Sequence, residues 1–143
     1  MTSPRARLVG VLLAAAVLGP AGCNSGPRLY PVTGKVVNKG KGSVKDLAGY
    51  IVQFQSTTDP AELPGGTIAE DGTFTLTTRV AGKEVPGVKE GTYRARLMQQ
   101  PTEGAAPPPL LVHRRYTKFE TADLQYTIKP GPNEITIEVE RAQ

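Results

Sequence analysis

Along most of this chain, apolar residues recur at every second position. Phe74 and Leu76 alternate with Thr73, Thr75 and Thr77, and Tyr93, Ala95 and Leu97 alternate with Thr92, Arg94, Arg96 and Met98. Ile135, Ile137 and Val139 do the same against Glu134, Thr136, Glu138 and Glu140. Successive side chains of a strand point to opposite faces, so these segments build half-buried strands and cannot offer a helical stripe. Sixteen glycines and thirteen prolines among 143 residues push the same way, because they cost roughly 1 and 3 kcal/mol in a helix interior. Long helices are therefore not expected.

About seven strands are predicted: Tyr30 to Val37, Tyr50 to Gln55, Thr67 to Ala69, Thr73 to Thr78, Thr92 to Met98, Leu124 to Ile128 and Glu134 to Glu140. Asp71-Gly72 between two of them predicts a type I′ hairpin turn, which needs positive φ at both central residues. Asn38 to Lys45 and Val80 to Gly91 read as loops, and Gln99 to Pro109, with four prolines, as an extended loop. Pro130-Gly131-Pro132-Asn133 joins the last two strands, which are expected to form a terminal hairpin. Leu110 to Thr121 carries no clear pattern. One sheet would leave every apolar face wet, so two facing sheets, an all-β sandwich, follow. The length suits one such domain.

The first residues read as an address. Arg5 and Arg7 precede an uncharged apolar run, Leu8 to Leu18, followed by Gly19-Pro20-Ala21-Gly22-Cys23. As a helix that run reaches ~16 Å, well short of a ~30 Å hydrocarbon layer, so it fits a secretory signal better than a span. The lone cysteine directly after two small residues resembles the lipobox of bacterial lipoproteins. That resemblance implies cleavage before Cys23, a diacylglycerol thioether on its sulfur and an acylated N-terminus. The chain then divides into a signal peptide (1–22), a lipidated Cys23 with a flexible tether (23–29) and a sandwich domain (30–143). Cleavage removes Arg5 and Arg7, lowering the formal charge from +4 to +2. Asn24 in place of Asp resembles the sorting signal for the outer membrane of a diderm host.

Further along, Pro31-Val32-Thr33-Gly34-Lys35-Val36, Tyr50-Ile51-Val52-Gln53-Phe54, Glu70-Asp71-Gly72-Thr73-Phe74-Thr75-Leu76 and Gly91-Thr92-Tyr93-Arg94-Ala95 occur in a telling order. In that order the chain resembles small bacterial lipoproteins with a carboxypeptidase regulatory-like, or transthyretin-like, domain. The resemblance implies a seven-stranded Greek-key sandwich of the prealbumin type. It also implies an exported, membrane-anchored envelope protein without catalytic residues of its own. A non-catalytic binding or structural role is expected, or else that of an accessory or assembly subunit of an envelope enzyme or protein complex. The expected partners are membrane lipid through acylated Cys23 and an envelope polymer or protein; nucleic acid is not expected after export.

Little in the chain points to chemistry. Cys23 is the only cysteine and His113 the only histidine, which rules out disulfide scaffolds and Cys/His zinc sites. His113, flanked by Arg114 and Arg115, lacks a Ser/His/Asp context, and no catalytic residue is assigned. Asp59, Glu62, Glu70 and Asp71 are scattered without the alternating ligands of a calcium loop, so no metal or cofactor is expected. Lys35, Lys39, Lys41 and Lys45, with Arg94 and Arg96, are candidates for meeting anionic polymer or headgroups, though interspersed acids favour ordinary solvated faces. Lys35 and Asn133 could be imagined as a Lys–Asn crosslink, but strand parity turns Lys35 outward. Recognition is expected instead in the loops Asn38 to Asp46, Val80 to Glu90 and Gln99 to Arg115, whose side chains are free of the core.

Overall fold

The computed structural model describes residues 26–143. The expected signal peptide, Cys23 and Asn24 lie outside the described residues. Two sheets face one another. The small sheet has the order β4-β1-β9 and the large sheet β6-β5-β3-β2-β7-β8. The small sheet contains β1 (Val32–Asn38), β4 (Thr73–Thr75) and β9 (Asn133–Val139). In the large sheet are β2 (Ile51–Ser56), β3 (Gly65–Thr67), β5 (Thr77–Val80), β6 (Lys83–Pro86), β7 (Gly91–Met98) and β8 (Gln125–Ile128). All-β sandwich architecture is thus the observed one.

The period-two residues fill the space between the sheets. Val32, Val36, Phe74, Ile135, Ile137 and Val139 from the small sheet share one buried cluster with Val52, Phe54, Tyr93, Ala95, Leu97 and Ile128 from the large one. Phe54 lies between two tyrosines, with ring centroids 6.2 Å from Tyr93 and 5.6 Å from Tyr126. Burying these faces against each other is the main favourable term in the fold.

Four expectations about connectivity are corrected. Nine strands form among the described residues instead of seven, partly because Thr73 to Thr78 is not one strand. It divides at Leu76, whose N–H donates to Val32 O (3.0 Å) in the small sheet while its carbonyl accepts from Gly87 N–H (3.0 Å) beside the large one. Val80 to Gly91 is not all loop. Ala81 and Gly82 take φ of 49° and 80°, a pair of positive values that closes a two-residue hairpin, and β6 pairs back on β5.

The Asp71-Gly72 turn is tight but not type I′. Of the two, only Gly72 has positive φ (84°), while the Asp71 carboxylate accepts from Thr73 N–H (3.0 Å) and Thr73 Oγ1 (2.6 Å). These bonds hold the Asp71 carboxyl below the usual carboxylate range. The strands it joins, β3 and β4, belong to different sheets. Nor do β8 and β9 form a hairpin: β8 pairs antiparallel with β7, and β9 pairs parallel with β1. Between them the Asn133 carboxamide accepts from Lys129 N–H (3.0 Å) and donates to Lys129 O and Gly131 O (2.9 Å each). The side chain takes the place of a neighbouring strand at Lys129 and frees the backbone to cross to the other sheet.

The patternless Leu110 to Thr121 contains a 3-10 turn, Arg114–Thr117, and runs into a short helix α1, Phe119–Ala122. Tyr116, Phe119 and Ala122 are buried. Upstream, Val112 bridges Arg141, extending the edge of the small sheet beyond β9.

Candidate functional site

Strand directions give the sandwich two distinct poles. At one, Tyr30 and Val88 exchange backbone hydrogen bonds of 2.8 and 2.9 Å, Asn133 N–H donates to Pro31 O, and Thr57 N–H donates to Thr92 O. The segment from Gly26 enters here, and this end is called the tether pole after the tether expected from the sequence. At the other pole lie the ends of β1, β7 and β9, the start of β2 and the Asp71 turn. Tyr50 Oη accepts from Leu111 N–H there (3.0 Å), and Lys39 N–H donates to Val139 O (2.9 Å). The loops Asn38 to Asp46 and Gln99 to Arg115 share this far pole. Val80 to Glu90 belongs to the tether pole, because β5 runs back toward Tyr30 and β6 leads into Val88.

The far-pole cations are largely matched by acids. Glu140 faces Lys39 Nζ (3.6 Å) and Arg115 Nη2 (3.2 Å), Lys45 pairs with Glu70 (3.7 Å), and Arg141 pairs with Asp46. Exposed pairs of this kind contribute ~0–1 kcal/mol each; their effect is to flatten the local potential. Arg115 Nε and Arg141 Nη1 remain without a hydrogen-bond partner. Arg96, a candidate for meeting anions, is engaged in the fold: its guanidinium donates to Gln53 Oε1 (2.9 and 2.6 Å) and lies 4.5 Å over the Phe119 ring. It fastens α1 to the outer face of the large sheet. Arg94 and Lys35 are exposed.

An open cleft of about 580 Å³ lies under the proline-rich loop, lined by Arg96, Met98, Pro101, Pro107, Pro108 and Leu110. Gln99 Nε2 closes the loop's base by donating to Pro108 O (3.1 Å) and Pro109 O (3.0 Å). Three consecutive prolines, already restricted in φ, thus stand out from the far pole at low ordering cost. His113 is exposed there, and its Nδ1 accepts from Arg115 N–H (3.3 Å) at the start of the 3-10 turn.

The tether pole holds a cluster that no local sequence signal marks. Tyr93 Oη donates toward Glu62 Oε1 (3.2 Å) and Lys89 O (3.1 Å), and Lys89 Nζ lies 3.5 Å from Glu62 Oε2. Burial first, then the Glu62 charge, pushes the Tyr93 phenol up. Burial and the Glu138 charge push Tyr126 up to about 12. A raised phenol pKa contributes stability that is complete below the unfolded value near 10 and lost as pH rises toward the folded value. The protein should therefore lose stability between pH 10 and 12, and Tyr126→Phe should lessen that loss. Phenolate absorbance tests this: Tyr126 titrating at 10 in the folded protein would contradict the burial argument.

Beside this cluster a broad groove of about 1000 Å³ runs over the outer face of β2, β3 and β5. Its tether-side end is lined by Pro27, Glu62, Leu63, Ala81 and Lys89. Asp59 also lines it, whereas Glu70 and Asp71 lie across the molecule at the far pole. The four acids are not brought together. Lys35 and Asn133 do not meet either: Lys35 is in register with Thr136, and the Asn133 amide is occupied by Lys129 and Gly131.

No family model matches this chain, and no curated protein matches it significantly. Among solved structures it is similar to a DUF3823 family protein from Parabacteroides merdae, at 15% identity and a TM-score of 0.43, covering 81% of this chain and 48% of that one. It is also similar to the pilus 2b backbone protein of group B streptococcus, at 16% identity and a TM-score of 0.49, covering 81% and 42%. The chain spans less than half the length of either.

Proposed function

We propose that this chain is an exported lipoprotein, acylated at Cys23, whose transthyretin-like, Greek-key sandwich holds a non-catalytic binding surface away from an envelope membrane. The observation that carries this reading is the separation of the poles. Seven residues after Cys23, Tyr30 is clamped at one end of the domain, and two of the three loops expected to bind lie at the other. Two or three acyl chains suffice as an anchor, since each buried CH₂ contributes ~0.8 kcal/mol. Loops displayed beyond the headgroups can then meet an envelope polymer or protein.

Labelled palmitate should enter the wild-type protein and not Cys23→Ala; equal labelling of the two would end the lipoprotein reading. Pull-down from envelope extracts with the chain lacking its lipid then tests the binding role, where enrichment of a polymer is the expected result.

A second reading, an accessory subunit that docks by strand addition, is favoured by β9. Asn133 N–H and Val139 O bond toward β1, so parity turns the backbone groups of Glu134, Thr136 and Glu138 toward the other edge, where Tyr126 Oη already donates to Thr136 O (3.3 Å). An extended partner strand that displaces the Tyr126 hydroxyl can pair along this edge. Two acidic side chains along it would repel a second copy and favour a basic strand. Recovery of a stoichiometric protein in the same pull-down would select this reading.

A further inference from the structure

We infer that the tether-side end of the outer groove, around Leu63, is the face this domain lays against phospholipid headgroups. The inference rests on acylation at Cys23 and adds an orientation to it. Pro27 lines the groove together with Leu63, and it is only four positions after Cys23. An extended chain gains at most ~3.6 Å per residue, so Pro27 lies within ~14 Å of the acylated residue whatever path the tether takes. The Tyr30–Val88 backbone pair then fixes the domain to that tether with no free joint after it. A headgroup layer is ~5–7 Å deep on each side of a bilayer, about half this reach, so Pro27 stays close to its outer surface.

The chemistry of the pole agrees. Leu63 and Val85, 45% and 36% exposed, are the large hydrophobics left open to solvent among the described residues. Leu63 lines the groove with Pro27, whereas Val85, in register with the buried Thr78, turns to the opposite face of the sheet and takes no part in this surface. Arg28 and Lys83 are exposed at this pole, positioned to meet lipid phosphates while Leu63 enters the interface; Arg79 is paired with Glu84 (3.7 Å). At the far end of β1, a seven-residue strand about 20 Å long at ~3.3 Å per residue, Lys39 and Lys41 stand in water.

The test uses the protein isolated from membranes and inserted into preformed vesicles of phosphatidylethanolamine and phosphatidylglycerol. Lysines are acetylated with a membrane-impermeant reagent and compared with the same protein in detergent. Lys83 and Lys89 should react at least threefold more slowly on vesicles, with Lys39 and Lys41 unchanged. Leu63→Glu, still acylated, should bring Lys83 and Lys89 back to the detergent rate. With Cys23 acylated, equal reactivity at both poles, or protection of Lys39 and Lys41, would overturn the orientation alone. An unmodified Cys23 in the N-terminal peptide mass would overturn the anchor, and the orientation with it.

Discussion

Gly66→Ala is expected to destabilise the domain by about 3 kcal/mol or more, at the upper end for overpacking a closed core. A Cβ on Gly66 would sit 2.1 Å from Thr75 O and 2.9 Å from Thr75 C. Both atoms are backbone, so no rotamer change relieves the clash; β3 and β4 must separate. These strands belong to different sheets, and their close approach is possible only because β3 carries no side chain on its inward face at this point. For a domain of this size the loss corresponds to roughly 12–18 °C in Tm.

The neighbouring glycine supplies the control. In Gly65→Ala the new Cβ meets Val52 O at 3.2 Å, a shift of a few tenths of an ångström on the outer face, and should cost about 1 kcal/mol or less. Thermal unfolding of the two variants side by side is decisive. A Gly66→Ala midpoint within a few degrees of wild type would mean that the sheets do not converge at this corner.

Alternation was legible because burial here follows a strict period of two. Val52 and Phe54, Tyr93, Ala95 and Leu97, and Ile135, Ile137 and Val139 all point where their spacing predicts. Pairing was not legible, because facing direction leaves the choice of neighbour open. Nothing in Leu124 to Ile128 and Glu134 to Glu140 says that one joins β7 and the other β1. That outcome depends on the Asn133 carboxamide replacing a strand at Lys129. Lys83 to Pro86 escaped for the opposite reason: it is exposed on both faces and has no alternation to read. Its signal was the Ala81-Gly82 turn. The Glu62, Lys89 and Tyr93 cluster joins residues 27 and 31 positions apart, and no local pattern encodes such a meeting. Likewise, the loops could be named as surface from their Gly and Pro content. Their division between two poles required the strand directions.

Leu76 bears most directly on whether the two sheets form one cooperative unit. Its side chain is fully buried, and its backbone is the crossing point, with N–H bonded toward β1 and carbonyl toward Gly87. Leu76→Ala should cost about 4 kcal/mol, the transfer term for the lost methyls plus a cavity between two sheets that cannot both close on it. Leu76→Met, of similar volume and with the backbone bonds kept, should cost less than about 1.5 kcal/mol. Both variants should unfold in a single denaturant transition with the m-value unchanged, because either sheet alone leaves its apolar face wet. A second transition in Leu76→Ala would show that the large sheet survives without the small one. A cost below about 2 kcal/mol with one transition would show that the crossing is not anchored in the core.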